Sequence, residues 1–318
     1  MHGGCHKLAA LNVLVLCMDD HDSIGIFNQH RQRLFGLAYR MLGTRDDAED
    51  IVQETYIRWH NADRDAIESA EAWLVTAATR LSIDRLRKAS RDRQSYIGPW
   101  LPEPIMISPE ASPQENAELA SDLSLAFMVL LERLSPAERA VFLQHDIFDC
   151  DYAEIARILD RSEAAVRQMN HRARERVRSD RVRHLPDNAE HVRLMRSFVA
   201  ASAAGDPGTV MSLLAPNVAL VSDGGGKVSA ARKIVTGATR VGRIFYMTGP
   251  MHPDRIREYI VDVNREKGVL TLFDGEPAAI TTFEINDGQI TGIYRVMNPE
   301  KLKSFSAIKN SLGNLSQI

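Results

Sequence analysis

The chain has 318 residues, of which 44% are hydrophobic and 25% are charged. This length and balance are typical of a globular protein with two or three separate cores, and they exclude a collagen, a coiled coil and a wholly disordered chain. The 39 lysines and arginines against 42 acids leave a net charge of -3, so the average charge indicates neither a nucleic-acid nor a membrane partner.

The N-terminal residues 1–23 are predicted to form a poorly ordered leader. Their apolar run, 8–18, is too short to cross a bilayer and lacks the small-residue cleavage site of a secretory signal. The three cysteines are an odd number without the spacing of metal ligands, so we expect neither a disulfide scaffold nor a metal site. These features favour a cytoplasmic protein without a membrane anchor.

Residues 24–96 form the first predicted domain, which is helical. Apolar residues recur there at spacings of three and four, which predicts at least three amphipathic helices. Thr44, followed by Asp46 and Asp47, indicates a helix start, because carboxylates in the first turn interact favourably with the helix dipole.

Residues 97–116 are predicted to be a linker that docks on another part of the protein. Five prolines between positions 98 and 113 exclude a regular helix. Trp100, Leu101 and Ile105 make the segment too apolar for a flexible spacer, because an exposed apolar stretch of this kind favours contact with another surface.

Residues 117–185 form a second helical block with the outline of a helix-turn-helix. The pattern Ser-Pro-x-Glu that starts at Ser135 matches a capping box, with the serine as N-cap and the proline as the first helical residue. A helix over 152–159 precedes a tight turn, in which Ser162 is expected to cap the helix that begins at Glu163.

Residues 186–318 differ in composition from the helical blocks and are predicted to form a separate α+β domain. Helices are expected over 189–204 and 208–214, and β-branched residues become more frequent from Val218 onward. The turn Asn286-Asp287-Gly288 between two apolar segments is a strong signal for a β-hairpin. Helices followed by such a meander are typical of an α+β domain.

The second helix of the helix-turn-helix is predicted to read DNA in the major groove. Arginine can form two hydrogen bonds with guanine and glutamine with adenine, while other guanidiniums bind phosphates. The alternative interpretation is an arginine-rich helix that is only solvated. The polar face of this helix consists of Arg167, Gln168, His171, Arg172, Arg174 and Arg178.

Two further charged segments lie in the first domain. Residues 80–93 carry six basic and two acidic side chains after a helix that contains Trp73, a combination suited to phosphates and unstacked bases. A cationic helix C-terminus is the simpler alternative. Residues 46–54 carry five acidic side chains, which would repel a duplex, so this face is expected to contact a protein.

Three segments, in this order, resemble bacterial RNA polymerase sigma factors of the extracytoplasmic-function type. The segment of region 2 that binds core polymerase is similar to D-A-E-D-I-V-Q-E-T-Y-I-R-W at 47–59. The following segments of region 2 are similar to E-A-W-L-V-T-A-A-T-R-L-S-I-D-R-L-R at 71–87. Region 4 is similar to L-S-P-A-E-R-A-V-F at 134–142 together with the predicted helix-turn-helix.

The resemblance implies contacts with the β′ and β subunits of RNA polymerase core and with promoter DNA, and no catalytic residue, metal or cofactor. Many relatives have asparagine in place of Arg80, so their base preference at the -10 element does not carry over. The residues matched to core binding are Asp47, Asp50, Gln53 and Glu54. Those matched to the -10 element are Arg80, Asp84, Arg85, Arg87 and Lys88. Those matched to the -35 element are Arg161, Ser162, Arg167, Gln168, His171 and Arg172.

Three more motifs resemble one subgroup, the sigma factors with a SnoaL-like C-terminal extension: W-L-P-E-P at 100–104, D-G-G-G-K at 223–227 and N-P-E-K-L at 298–302. The resemblance implies two all-α helical domains plus a C-terminal α+β, cone-shaped domain that regulates the factor without a separate anti-sigma protein. The glycines predict a tight loop that another backbone approaches. The expected interdomain residues are Trp100, Pro102, Asp223, Gly224, Gly225, Gly226, Lys227, Asn298 and Pro299.

A SnoaL-like fold implies a pocket, and its ligand is left open by the sequence. The leading hypothesis is a sigma factor, and an enzymatic C-terminal domain of the cyclase or isomerase kind is the alternative. A free-standing helix-turn-helix repressor is less consistent with the sequence, because it has no use for the acidic segment. The polar side chains that could enter the pocket are Asp223, Tyr246, His252, Tyr259, Glu284 and Arg295.

Overall fold

The computed structural model describes residues 5–106, 123–178, 188–314 and 316–318, with side chains for 23–106, 123–177, 189–306 and 316–318. Predictions for 107–122 and 179–187 lie outside the described residues. They include the second half of the linker and both ends of the second helical block. The side chain of Arg178 also lies outside them.

Three helices form the first block, as the apolar spacing predicts: α1 (Cys5–Leu42), α2 (Arg45–His60) and α3 (Ala70–Asp92). The backbone is helical from Cys5, where the sequence analysis expected a poorly ordered leader. The reason is that 8–18 contains no glycine or proline to end a helix, so it continues into α1. None of the described helices is long and apolar enough to cross a membrane.

The start signals act as the sequence predicts. Thr44 is the N-cap of α2, and its hydroxyl donates to the Asp47 carboxylate at 2.6 Å. Ser135 and Glu138 form both hydrogen bonds of a capping box. Ser162 accepts a hydrogen bond from the N–H of Ala165 at 3.3 Å.

The described part of the second block, residues 123–178, contains four helices. A π-helical turn over Leu143–Ile147 follows the second of them. Asp160 ends the third helix in the left-handed region, with φ of 52°, and so produces the tight turn of the helix-turn-helix. The four are α4 (Leu125–Leu131), α5 (Pro136–Phe142), α6 (Tyr152–Leu159) and α7 (Glu163–Arg178).

The two helical blocks share one hydrophobic core, although the sequence presents them as separate domains. Leu34 and Leu74 of the first block belong to the same buried cluster as Phe127, Phe142 and Val177 of the second. The linker between them, as far as it is described, runs along the surface of this core and does not hold the blocks apart.

A charged network reinforces this packing. Glu132 accepts from Arg93 at 2.5 Å and from Arg139 at 2.7 Å. The same arginines donate to the carbonyls of Leu42 and Met41, at 2.5 and 2.6 Å, and so satisfy the C-terminus of α1. Burial alone would raise the pKa of Glu132, but the two guanidiniums outweigh it and lower this pKa.

The third block is an α+β domain, as predicted. Its helices are α8 (Asn188–Ala204), α9 (Pro207–Leu213) and α10 (Ala238–Thr248), of which the sequence analysis missed α10. A 3-10 helix spans Pro299–Asn314. The strands are β1 (Leu214–Asp223), β2 (Val235–Thr236), β3 (Ile256–Val263), β4 (Glu266–Phe273), β5 (Glu276–Asn286), β6 (Gln289–Val296) and β7 (Ser316–Gln317).

The strands form one sheet in the order β2-β1-β6-β5-β4-β3-β7. The predicted hairpin joins β5 and β6. The sheet is not a simple meander, however, because β1 pairs with β6 in parallel, with Ala219 opposite Gly292. Such a pairing needs a long crossover, which a strand-by-strand reading of the sequence does not reveal.

The two faces of the sheet contact different partners, because side chains alternate along each strand. Val269 and Phe283 face α8 and α10. Leu270 and Leu272, the alternate residues of β4, belong to the cluster that contains Leu101 of the linker. That cluster also contains Leu125 of α4, so the linker and the second block pack against this face of the sheet.

Replacing Glu132 with glutamine should destabilise the helical core. The substitution removes the counter-charge shared by two arginines, of which Arg139 is only 1% exposed. We expect the free energy of unfolding in urea to fall by about 2–3 kcal/mol, less than for a fully buried pair because Glu132 is 24% exposed. Glu54→Gln, in an exposed ion pair with Arg58, should cost less than about 0.5 kcal/mol. Equal losses in the two variants would contradict the structural role of the network.

Candidate nucleic-acid interface and interdomain contact

The residues matched to the -35 element lie on and just before α7. Val166, Ala173 and Val177 of this helix are buried. The opposite side is exposed and includes Gln168 and His171, the latter with 73% of its side chain accessible. The remaining members of the predicted set, all exposed, are Arg161, Ser162, Arg167 and Arg172.

Some arginines of α7 are held by carboxylates of the same block. Arg174 donates to Asp146 at 2.8 Å, and this hydrogen bond raises the pKa of the guanidinium. Arg172 and Arg176 both pair with Glu138, at 3.3 and 2.5 Å. Arg174 therefore belongs to the side of the helix that packs on the block, although the sequence analysis placed it on the DNA-reading face.

The residues matched to the -10 element lie along α3 and have unequal access. Arg80 donates to the carbonyls of Ile158 and Arg157, at 2.8 and 3.2 Å, and so contacts the second block. Asp84 and Arg87 pair with each other at 3.0 Å and are largely exposed. Lys88 is exposed as well.

A cleft of about 380 Å³ separates this part of α3 from the helix-turn-helix. Arg80, Asp84 and Arg87 line one side, and Arg161 lines the other. Residues matched to the two promoter elements therefore face each other across one cleft.

The acidic face of α2 is mostly accessible. Asp50 and Gln53 are exposed, and Glu54 pairs with Arg58 at 3.0 Å with nearly half of its side chain accessible. Asp47 differs, because its carboxylate accepts from Arg85 at 2.7 Å. That hydrogen bond raises the pKa of the Arg85 guanidinium. Asp50 also pairs with Arg85, at 3.5 Å, so two residues matched to core binding are paired with one matched to the -10 element.

The carboxylate of Asp223 lies at the contact between the extension and the rest of the protein and is fully buried. It accepts from the Tyr96 hydroxyl at 2.6 Å and from the backbone N–H of Leu101 at 2.9 Å. Within the extension it accepts from Lys301 at 2.7 Å and from the N–H of Gly225 at 3.0 Å. Four donors therefore converge on one carboxylate.

The donors around Asp223 are themselves enclosed. Burial lowers the pKa of the Lys301 ammonium to about 8, and the charge of Asp223 opposes this shift. The ammonium also donates to the carbonyl of Leu101. Burial is the main reason that the pKa of Tyr96 is raised, and the hydrogen bond to Asp223 adds to it. The Tyr96 hydroxyl therefore stays protonated and remains a donor at neutral pH.

The predicted glycine loop is a tight turn that another segment approaches. The N–H of Lys227 donates to the carbonyl of Gly224 at 3.0 Å, and the Lys227 ammonium pairs with Glu300. Gly225 and Gly226 have φ of 59° and 71°, a region that favours glycine. A Cβ on Gly225 would lie 2.4 Å from the Asn298 amide nitrogen, and one on Gly226 would lie 2.8 Å from Ile97.

The other predicted interdomain residues surround the same point. The Asn298 side chain donates to the Tyr96 hydroxyl at 2.9 Å, and Pro299 begins the 3-10 helix. Trp100 lies between two cations, with Arg93 at 3.5 Å and Lys301 at 4.1 Å from its ring. Pro102 is buried.

Asn264 is a second anchor, which the sequence analysis missed. It is buried in the β3–β4 turn with φ of 51° and exchanges hydrogen bonds with the backbone of Ile105, at 2.8 and 2.9 Å. Its amide also donates to the Tyr39 hydroxyl at 2.7 Å and to the carbonyl of Leu123 at 2.9 Å. One side chain thus bridges α1, the linker and the start of the second block. Its only sequence signal is an asparagine at a hairpin turn.

The extension contains a cavity, but of the six polar residues that the sequence analysis offered for it only Arg295 lines it. Asp223 is in the interdomain contact. Tyr259 packs on the opposite face of the sheet, and the Tyr294 hydroxyl donates to Glu284. Glu258, which does line the cavity, was not among the candidates. The described residues include no cluster of histidine, cysteine and carboxylate side chains that could hold a metal ion.

Comparisons with known proteins match both helical blocks. The chain matches the family models Sigma-70 region 2 over residues 26–92 and Sigma-70, region 4 over residues 124–177. It is 39% identical over 287 residues to the ECF RNA polymerase sigma factor SigJ of Mycobacterium tuberculosis, which covers 86% of this chain and 91% of that protein. It is 32% identical over 294 residues to the probable ECF RNA polymerase sigma factor SigI of the same organism. That match covers 91% of this chain and 98% of SigI.

A solved structure includes the extension. The crystal structure of the M. tuberculosis extracytoplasmic function sigma factor SigJ is 37% identical and covers 88% of this chain and 98% of its own, with a TM-score of 0.71. The similarity therefore spans the two helical blocks and the sheet-containing domain together. On this evidence the chain belongs to the extracytoplasmic-function sigma factors.

Proposed function

We propose that this protein binds the core of RNA polymerase in the cytoplasm and directs it to promoters, and that the fused extension modulates this activity. The observation that supports the proposal is that two different polar surfaces occur on separate helices. An exposed acidic face on α2 lies in the same chain as an exposed polar face on a helix-turn-helix. The names of the relatives, both sigma factors of RNA polymerase, agree with it.

The core contact is assigned to Asp50, Gln53 and Glu54, with a smaller part for Asp47. The first three are accessible on α2, and complementary charge on the β′ subunit would select and orient the partner. Asp47 is engaged by Arg85, so it contributes only if that ion pair opens.

Reversal of charge at Asp50 and Glu54 should abolish core binding. Two lysines in place of the carboxylates turn attraction into repulsion, and neither residue is in the hydrophobic core, so the fold should persist. We expect the double variant to be lost from co-purification with core polymerase while its circular dichroism is unchanged. Asp254→Lys, at an exposed site in the extension, is the control. Undiminished binding of the double variant would refute the assignment.

Upstream promoter reading is assigned to the exposed side of α7. Gln168 and His171 can reach base edges, and Arg167, whose partner Glu163 is also exposed, can exchange that ion pair for a base or phosphate. Arg161 and Arg172 flank this surface and suit phosphates.

Replacing Arg167 and Gln168 with alanine should relax the preference at the -35 element. Each lost base contact is expected to cost about 1–3 kcal/mol on a matched promoter and much less on a mismatched one. The measurement is binding of the polymerase holoenzyme to both promoters at fixed salt. Arg193→Ala removes an exposed arginine of α8 and should change neither value. Equal losses on the two promoters would place base recognition elsewhere.

The contacts among the two helical blocks and the extension have a consequence for the regulation of promoter binding. Arg80 is exposed, but its guanidinium donates to the carbonyls of Ile158 and Arg157, so we infer that its full use on the -10 element requires the two helical blocks to separate. The extension opposes this separation, because Asn264 holds α1, the linker and the second block at once. We infer that this built-in restraint replaces a separate anti-sigma protein.

Weakening the extension's contact should therefore raise transcription. Asp223→Asn removes the charge that offsets the buried Lys301 ammonium. We expect faster hydrogen exchange at the Leu101 and Gly225 amides and a several-fold rise in run-off transcription, since couplings between sites are typically about 1–3 kcal/mol. Asp254→Asn is the matched control. Unchanged exchange together with unchanged transcription would remove the regulatory role.

No catalytic activity is assigned to the extension. The described titratable residues that line its cavity are Arg257, Glu258 and Arg295, and a sigma factor needs no catalytic residue or cofactor for the function proposed. Turnover of a small molecule by the full chain would support the enzyme alternative.

A further inference from the structure

The extension encloses a cavity of about 320 Å³ between its sheet and the helices α8 and α10. This volume is at the lower end of the range for small-molecule sites. Most of the wall is apolar, and Phe198, Phe245 and Phe283 contribute three aromatic rings. Polar side chains interrupt this apolar wall and include two charged groups that are not exposed, Glu258 and Arg295, a combination typical of ligand sites.

Arg295 of β6 is the charged group whose hydrogen bonding is incomplete. Its Nε is buried and has no hydrogen-bond partner among the described residues. Its guanidinium lies 5.8 Å from the ring centroid of Phe245, and burial lowers its pKa. A buried donor without a partner is destabilising, and more so in a charged group, so the site gains from an acceptor placed in the cavity.

Glu258 of β3 lines the same cavity on the other side of β4 and β5. It accepts a hydrogen bond from Thr271 at 3.2 Å and forms no ion pair with Arg295 among the described residues. Burial raises the pKa of Glu258, and the charge of Arg295 opposes the shift. Thr271 is opposite Glu258 in the sheet, and Thr281 is opposite Arg295, but the two pairs lie at different levels because Thr281 is opposite Val269 on β4.

These groups define the chemistry of the occupant. A planar guanidinium binds a carboxylate through two parallel hydrogen bonds, and three phenylalanine rings favour an apolar body. Arg257 also lines the cavity, but it is exposed and donates to the carbonyls of Pro253, Asp254 and Ile256. One buried arginine beside the Glu258 carboxyl group suits a ligand with one negative charge and not two. A protonated Glu258 can donate to the bound carboxylate or to a neighbouring oxygen of the same ligand.

We propose that the cavity of the extension is a binding site for a small organic monocarboxylic acid, with its carboxylate on Arg295 and its apolar part against Phe198, Phe245 and Phe283. Arg295 is the recognition residue. Glu258 sets the charge of the site, and Thr271 and Thr281 add hydroxyl groups to its wall. This site is independent of core and promoter binding and is tested on the free protein.

The test uses the full-length chain and matched ligand pairs. Titration calorimetry and ligand-observed NMR would compare 3-phenylpropanoate with 3-phenylpropanamide, and octanoate with octanamide. We expect each acid to bind at least about tenfold more tightly than its amide, since only the acid forms the charge-assisted pair. Equal affinities for acid and amide, or no binding of either acid, would overturn the proposal and leave an apolar, solvent-filled cavity.

Variants assign the effect to Arg295. Arg295→Met should weaken acid binding at least about tenfold and leave amide binding nearly unchanged, while Arg295→Lys should retain part of the acid preference. Arg255→Gln, an exposed arginine paired with Asp274 outside the cavity, is the matched control and should behave as wild type. Circular dichroism of each variant verifies that the extension is folded.

Glu258→Gln provides an independent check. It preserves the shape, always offers a hydrogen-bond donor and never carries a negative charge, so acid binding should be equal to or stronger than in the wild type. A loss of more than about tenfold in this variant, or an unchanged acid preference in Arg295→Met, would contradict recognition by the guanidinium.

Discussion

The buried carboxylate of Asp223 is the interaction on which the arrangement of the whole chain depends. Removing a carboxylate from water costs several kcal/mol, and only a full set of donors offsets this cost. Here the donors come from the end of the first block, Tyr96, from the linker backbone at Leu101 and from Lys301 of the extension. No single segment can satisfy the carboxylate, so the three are held together or all lose the contact.

The basic residues have two competing uses. Arg80 and Arg85, matched to promoter contacts, are engaged by backbone carbonyls and by Asp47 within the protein. Arg93 is committed to the network around Glu132. In the proposed function, promoter DNA offers phosphates and base edges to the same guanidinium groups, so DNA binding competes with these internal contacts.

The sheet of the extension links two environments across the thickness of one layer. Along β4, Val269 and Thr271 face the cavity, whereas Leu270 and Leu272 face the linker and the second helical block. Neighbouring residues on one strand therefore contact the proposed ligand site and the interdomain surface.

The sequence by itself determined the local structure and the family. Apolar spacing, the capping box at Ser135 and the hairpin turn depend on residues that are close in sequence, so they can be recognised from the sequence alone. The parallel pairing of β1 with β6, the role of Asn264 and the placement of Glu258 in the cavity were decided by the tertiary structure. These contacts join positions far apart in the chain, so the type of a residue and its neighbours in the sequence do not indicate them. The same limit explains why two helical domains predicted as separate share one core, since the packing partners of an apolar face are not encoded beside it.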